Sequence, residues 1–261
     1  MNPTPHPVTV MEFKTWKGQG IAMLTCYDAS MARILDRAGL DAFLVGDSLG
    51  TVIMGEPTTL GVTMDVMVHH VKAVRRGTKR ALVVADLPFM SYQPSIADAM
   101  RNAGRLLQEG GATAVKLEGG RPVAGIVRAL VEAGIPVMGH VGMTPQSVHA
   151  KGFRRVGVTE TERLRLLDDA RAIEDAGAFA LVVECTPHDV AQQITAAVSI
   201  PTIGIGAGPH CDGQILVNYD AFGLFDEFIP SFVKQFAKLG EAMELGAREY
   251  VAEVKAGKYP K

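Results

Sequence analysis

Short, almost wholly apolar runs alternate with amphipathic stretches along this chain, and that alternation constrains the fold more than any other feature. Strand-like runs recur at residues 21–26, 42–45, 81–85, 114–117, 136–138, 179–183, 202–205 and 215–217. Between most of them, apolar residues fall at helical spacing, at 29–38, 64–75, 96–108, 125–133, 160–176 and 190–198. Several of these helical stretches end in a glycine stop, as at Gly39, Gly134 and Gly177. Strands that are apolar on both faces suit a parallel sheet covered on both sides. About eight such units in 261 residues predict an α/β fold, a single (β/α)8 TIM barrel, with an open doubly wound sheet as the alternative. No composition shift divides the chain, so one domain over 1–261 is expected, with 1–8 as a flexible arm. Residues 12–20 are expected across the bottom of the barrel, and 228–255 as a final helix or helix pair.

Composition narrows the partners. With 26 basic against 28 acidic residues, the whole-molecule field gives no signal for nucleic acid or a membrane surface, although a local patch stays open. No apolar run approaches the roughly 18 residues that span a bilayer. The first residues lack a signal peptide's basic start and apolar run, so a cytoplasmic setting is expected. Cys26, Cys185 and Cys211 are odd in number and form no CxxC unit, which suits reduced thiols.

In a barrel the carboxyl ends of the strands converge on one face, where the active site is built. Polar residues recur where the apolar runs stop. In Ala114-Val-Lys-Leu-Glu-Gly-Gly120, alternation places Lys116 and Glu118 on one interior face. They are either a structural ion pair or parts of a site. Asp47, Asp86 and Glu118 close three consecutive strands, and three carboxylates so near one another call for a divalent cation. An oxygen-only donor set favours Mg²⁺, Mn²⁺ or Ca²⁺ over Zn²⁺. Otherwise Asp47 caps a helix and Asp86 opens a loop. Lys116 suits a negatively charged substrate group or a developing enolate charge. His140, after Gly139, is a donor to the same substrate or a structural residue. Glu184 ends an apolar strand, where a partly desolvated carboxylate suits a general base; the alternatives are a ligand through water or a structural acceptor. Gly204-Ile-Gly-Ala-Gly208 is a weak nucleotide-loop signal because Pro209 replaces a required glycine, and the run is equally a tight turn. His69 and His70 are adjacent on a predicted helix, so they face apart and make a poor joint metal site.

Six motifs together resemble the ketopantoate hydroxymethyltransferase family. They are Thr25-Cys-Tyr-Asp28, Val45-Gly-Asp-Ser-Leu-Gly50, Ala85-Asp-Leu-Pro88, Val115-Lys-Leu-Glu-Gly-Gly120, Gly139-His-Val-Gly-Met-Thr-Pro-Gln-Ser147, and Gly204 to Gly208 followed by Asp212-Gly-Gln214. The resemblance runs from about residue 8 to about residue 236. It implies a barrel of the phosphoenolpyruvate/pyruvate type and a Mg²⁺ ion. The implied reaction carries a hydroxymethyl group from 5,10-methylenetetrahydrofolate to 3-methyl-2-oxobutanoate, giving ketopantoate in pantothenate biosynthesis. By resemblance, Asp47, Asp86 and Glu118 are metal ligands. Asp47, Ser48, Asp86, Lys116 and His140 are substrate contacts, and Glu184 is the proton acceptor. The family's large homo-oligomers, often decamers, are implied as well. The sequence departs from the family over 148–157, where Lys151 replaces a glycine and a glutamine is absent, which leaves the path of that loop open. No folate motif is readable. The chemistry fits the residues: an α-keto acid chelates Mg²⁺, and the metal stabilises the enolate left when a base removes the adjacent proton. The runner-up is a Mg²⁺-dependent carbon–carbon lyase of the same barrel type, and a third reading is a non-catalytic barrel.

Overall fold

In the computed structural model, residues 6–260 are described, and among them eight strands close into a barrel in sequence order. The strands are β1 (Ile21–Thr25), β2 (Ala42–Val45), β3 (Leu82–Asp86), β4 (Ala114–Lys116), β5 (Val137–Gly142), β6 (Ala180–Glu184), β7 (Thr202–Ile205) and β8 (Gly213–Leu216). Successive strands from β1 to β8 pair in parallel. The expected closed barrel, not the open sheet, is therefore the fold. Gly213 shows why closure is sterically allowed: a Cβ there would stand 2.6 Å from the Ile21 carbonyl oxygen, so only glycine lets the last strand reach the first.

The helices are α1 (Val10–Lys14), α2 (Ala29–Arg37), α3 (Leu49–Val52), α4 (Met64–Gly77), α5 (Ile96–Gln108), α6 (Ala124–Glu132), α7 (Val148–Lys151), α8 (Glu160–Asp175), α9 (His188–Ala197), α10 (Asn218–Ala221) and α11 (Leu239–Lys255). Their starts are written locally. Asp28, Thr63, Ser95 and Thr159 each accept a backbone N–H from the first turn of α2, α4, α5 and α8, and Thr159 with Glu162 forms a capping box. Each such cap stabilises its helix by about 1 kcal/mol.

The chain forms two compact units, one ending at Ile215 and one beginning at Leu216. In the first, α1 closes the amino-terminal end of the barrel. Phe13 is fully buried against the early residues of the strands, with its ring edge-on to Phe179 at 5.7 Å. The expectation for 12–20 is met by this plug. Most of the expected arm lies outside the described residues, but Val8 is buried and its N–H donates to the Arg80 carbonyl at 2.8 Å. In the second unit, α11 is one helix rather than a pair. Pro230 disfavours helical geometry at Ile229, and residues 228–238 carry no helix. No described helix is long and apolar enough to cross a membrane.

β5 runs four residues past its expected end at Met138, which places His140 within the strand. Gly139 permits this extension, because Ile173 of α8 packs 2.3 Å from where a Cβ would project. Loop 148–157 contains the short α7 and then turns at Gly152 and Gly157, both at positive φ.

Candidate active site

The carboxyl ends of β2 to β6 bring six of the seven sequence-predicted residues into one connected cluster, five of them buried and Glu184 at its edge. Parallel register aligns Asp86 with Lys116 across β3 and β4, so their side chains leave the sheet in the same direction. Lys116 Nζ lies 2.7 Å from Asp86 Oδ1 and 3.2 Å from His140 Nδ1. Its ion-pair partner is thus the neighbouring strand's aspartate rather than Glu118. Asp86 Oδ2 accepts the Asp47 N–H at 3.2 Å. That approach depends on Gly46, where a Cβ would stand 3.3 Å from the same oxygen. Asp47 does not cap α3, since its Oδ2 accepts from Gln146 instead. Ser48 stands at the rim, with its hydroxyl 2.9 Å from the Tyr27 hydroxyl.

His140 carries information about its own proton. An ammonium can only donate, so Nδ1 facing Lys116 must accept, and the proton sits on Nε2. Nε2 lies 3.1 Å from Glu184 Oε2, off the line of a straight hydrogen bond. Burial, followed by the Lys116 charge, lowers the His140 pKa against the opposing pull of Glu184, in agreement with a neutral ring. Glu184 is partly exposed and faces Gly142 across β5 and β6.

The electrostatics are those of an anionic cluster with too little positive charge. Burial first and the Asp86 charge second push Asp47 up to about 7. Burial also raises Glu118 well above the ordinary carboxylate range. Burial alone would lower Lys116, but Asp86, Glu118 and Asp47 outweigh it and hold the ammonium charged. Four carboxylates therefore surround one permanent cation, a donor set that suits a hard divalent ion. Among the described residues no three His, Cys, Asp or Glu side chains already converge on a single metal position.

Gln146 is the organising residue that reading by strand ends missed. Its Nε2 donates to Asp47 Oδ2 at 2.8 Å and to the Leu87 carbonyl at 2.9 Å. Its backbone N–H donates to Glu118 Oε2 at 3.1 Å. Its Oε1 lies 3.0 Å from the Tyr92 hydroxyl, which is also 2.9 Å from the Glu118 carbonyl and accepts the Glu118 N–H. The only sequence signal was its place inside the motif 139–147.

With this geometry in view, the relatives decide the family. The signature of the family described as ketopantoate hydroxymethyltransferase matches residues 7–261. The chain belongs to this family. It is 55% identical over 253 residues to a 3-methyl-2-oxobutanoate hydroxymethyltransferase of Clostridium botulinum (strain Alaska E43 / Type E3), covering 97% of this chain and 92% of the relative. It is 57% identical over 256 residues to the protein of the same name from Moorella thermoacetica, covering 97% and 95%. Solved structures extend the likeness in fold. A 2,3-dimethylmalate lyase of the PEP mutase/isocitrate lyase superfamily matches with TM-score 0.62 at 19% identity, over 97% of this chain and 90% of that one. A phosphoenolpyruvate phosphomutase from Streptomyces platensis subsp. rosaceus matches with TM-score 0.64 at 15% identity, over 96% and 88%. Hydroxymethyltransferase family members are enzymes, and this chain is one of them.

Proposed function

We propose that the chain transfers the one-carbon unit of 5,10-methylenetetrahydrofolate to C3 of 3-methyl-2-oxobutanoate as a hydroxymethyl group, water supplying the hydroxyl and tetrahydrofolate leaving, to form ketopantoate for pantothenate biosynthesis, with Mg²⁺ at the carboxylate cluster. The observation that carries this reading is the juxtaposition of Asp47, Asp86 and Glu118 around Lys116, with the His140–Glu184 pair beside them. The names of the close relatives support the acceptor substrate.

Asp47 and Asp86, with Glu118, would hold the cation directly or through water. Bound there, Mg²⁺ supplies Lewis-acid polarisation of an α-keto acid, which acidifies the hydrogen on the adjacent carbon. Lys116 offers its charge to the substrate's carboxylate while Asp86 and His140 fix its position. Glu184 takes the C3 proton, and the Nε2–H of His140 stabilises the carboxylate beforehand. Ser48 at the rim contacts the substrate, and Tyr92 and Gln146 hold Glu118 and Asp47 in place. The same reading includes a cytoplasmic homo-oligomer, whose size sedimentation measures.

Solvent exchange tests the chemistry. Deuterium is expected to enter C3 of 3-methyl-2-oxobutanoate with Mg²⁺ and without folate, and product to form when the folate is added. Glu184→Gln is expected to abolish exchange while Mg²⁺ and keto-acid binding persist. Undiminished exchange in that variant removes Glu184 as the base, and exchange without folate-dependent product favours the lyase alternative.

A further inference from the structure

A cavity of about 460 Å³ opens beside the cluster, between the loops that follow β4 and β5. Glu118 and Gln146 form its inner end, together with Gly142, the residue aligned with Glu184 across the sheet. Its walls mix apolar side chains, Val123, Val141 and Met143, with polar ones, Gln93 and Ser147. Thr144 also lines the cavity.

The outer end is basic. Lys151 and Arg154 stand there, and Arg165 joins the cavity to a second one of about 430 Å³ that adds Arg121. Among the described residues Lys151 and Arg121 enter no ion pair. The nearby acids are largely engaged: Glu162 Oε1 pairs with Arg154 at 2.7 Å, and Asp169 Oδ1 accepts the Arg121 backbone N–H at 2.7 Å. Asp168 is the remaining carboxylate there.

We propose that this cavity seats the pterin ring system of the one-carbon donor, with its aminobenzoyl-glutamate tail running outward toward Lys151 and Arg121. The inference rests on the folate-dependent reading above. A flat bicycle with polar edges matches a cavity walled by both apolar and polar side chains, and the tail's carboxylates match the basic residues Lys151 and Arg121.

Steady-state kinetics of the full-length enzyme with mono- and triglutamyl 5,10-methylenetetrahydrofolate test this placement. Val123→Trp, which fills the slot, is expected to raise KM for the donor about ten-fold or more while KM for the keto acid stays within about two-fold. Lys151→Glu, on the surface, is expected to erase most of the triglutamate's advantage in KM over the monoglutamate. A folded Val123→Trp with wild-type donor KM overturns the proposal. Should that variant fail to fold, an unchanged triglutamate-to-monoglutamate ratio in Lys151→Glu overturns it alone. Wild-type enzyme that exchanges the C3 hydrogen but makes no product with folate overturns the underlying reading instead, so the two failures are distinct.

Discussion

Gln146→Leu is the sharpest test of how this site holds its charge. The substitution nearly preserves volume but removes the amide that donates to Asp47 Oδ2 and to the Leu87 carbonyl, both buried. Leaving a charged acceptor without its donor costs about 2–3 kcal/mol, and a buried carbonyl about 1 kcal/mol more. Tyr92 loses one acceptor but keeps the Glu118 carbonyl at 2.9 Å, so it adds little. Leu brings some apolar burial in return, and a net loss of about 3 kcal/mol is expected. That is a large share of the roughly 5–15 kcal/mol that folded proteins hold. The Gln146 hydrogen bond also lowers the Asp47 pKa against burial and Asp86, so its removal is expected to raise that pKa above the present value of about 7. Urea unfolding in metal-free buffer measures the first effect, and the pH midpoint of Mg²⁺-dependent keto-acid binding measures the second. A variant within about 1 kcal/mol of wild type, with its midpoint unmoved, would refute the role assigned to Gln146.

Three further outcomes are expected. Asp47 titrates near 7 in the fold against an ordinary 3.8, so the folded protein holds the extra proton between those values. The metal-free protein is therefore expected to lose stability as pH rises through that window, and Mg²⁺ to raise the melting temperature more at about pH 8 than at about pH 5. Phe13→Ala removes the plug of the barrel's lower end and is expected to cost about 3–5 kcal/mol, read by chemical denaturation with active-site binding retained in the folded fraction. Gly77→Ala places a Cβ 2.3 Å from the Ala29 carbonyl oxygen, a backbone atom that cannot swing aside. Separation of α2 from α4 is expected to cost about 1–3 kcal/mol, visible as a lowered melting temperature.

Much of this architecture was legible in the chain because it depends on local signals. Eight apolar runs specify parallel strands, and the caps at Asp28, Thr63, Ser95 and Thr159 start helices where the pattern places them. Closure was expected from the count of about eight units, although an open sheet uses the same runs; what permits it, the contact of Gly213 with Ile21 nearly two hundred residues away, was not legible. The extension of β5 was hidden for a related reason. The apolar run stops at residue 138, yet Gly139 accommodates Ile173 of a helix that follows the strand.

The candidate site divides along the same line. Alternation within one strand placed Lys116 and Glu118 on a common face and left open whether they pair with each other or serve a site. Register between strands decides otherwise: Asp86 lies directly opposite Lys116 and takes its charge at 2.7 Å. Glu118 is held by groups distant in sequence, the Gln146 N–H and the Tyr92 hydroxyl at its backbone. Neutral hydrogen-bond donors orient these carboxylates without cancelling their charge. Had a second lysine stood at position 146, the cluster would be closer to neutral and would have less need of a metal. An amide at that position keeps Asp47 ordered and still anionic on demand, which is the electrostatic condition a bound divalent cation requires.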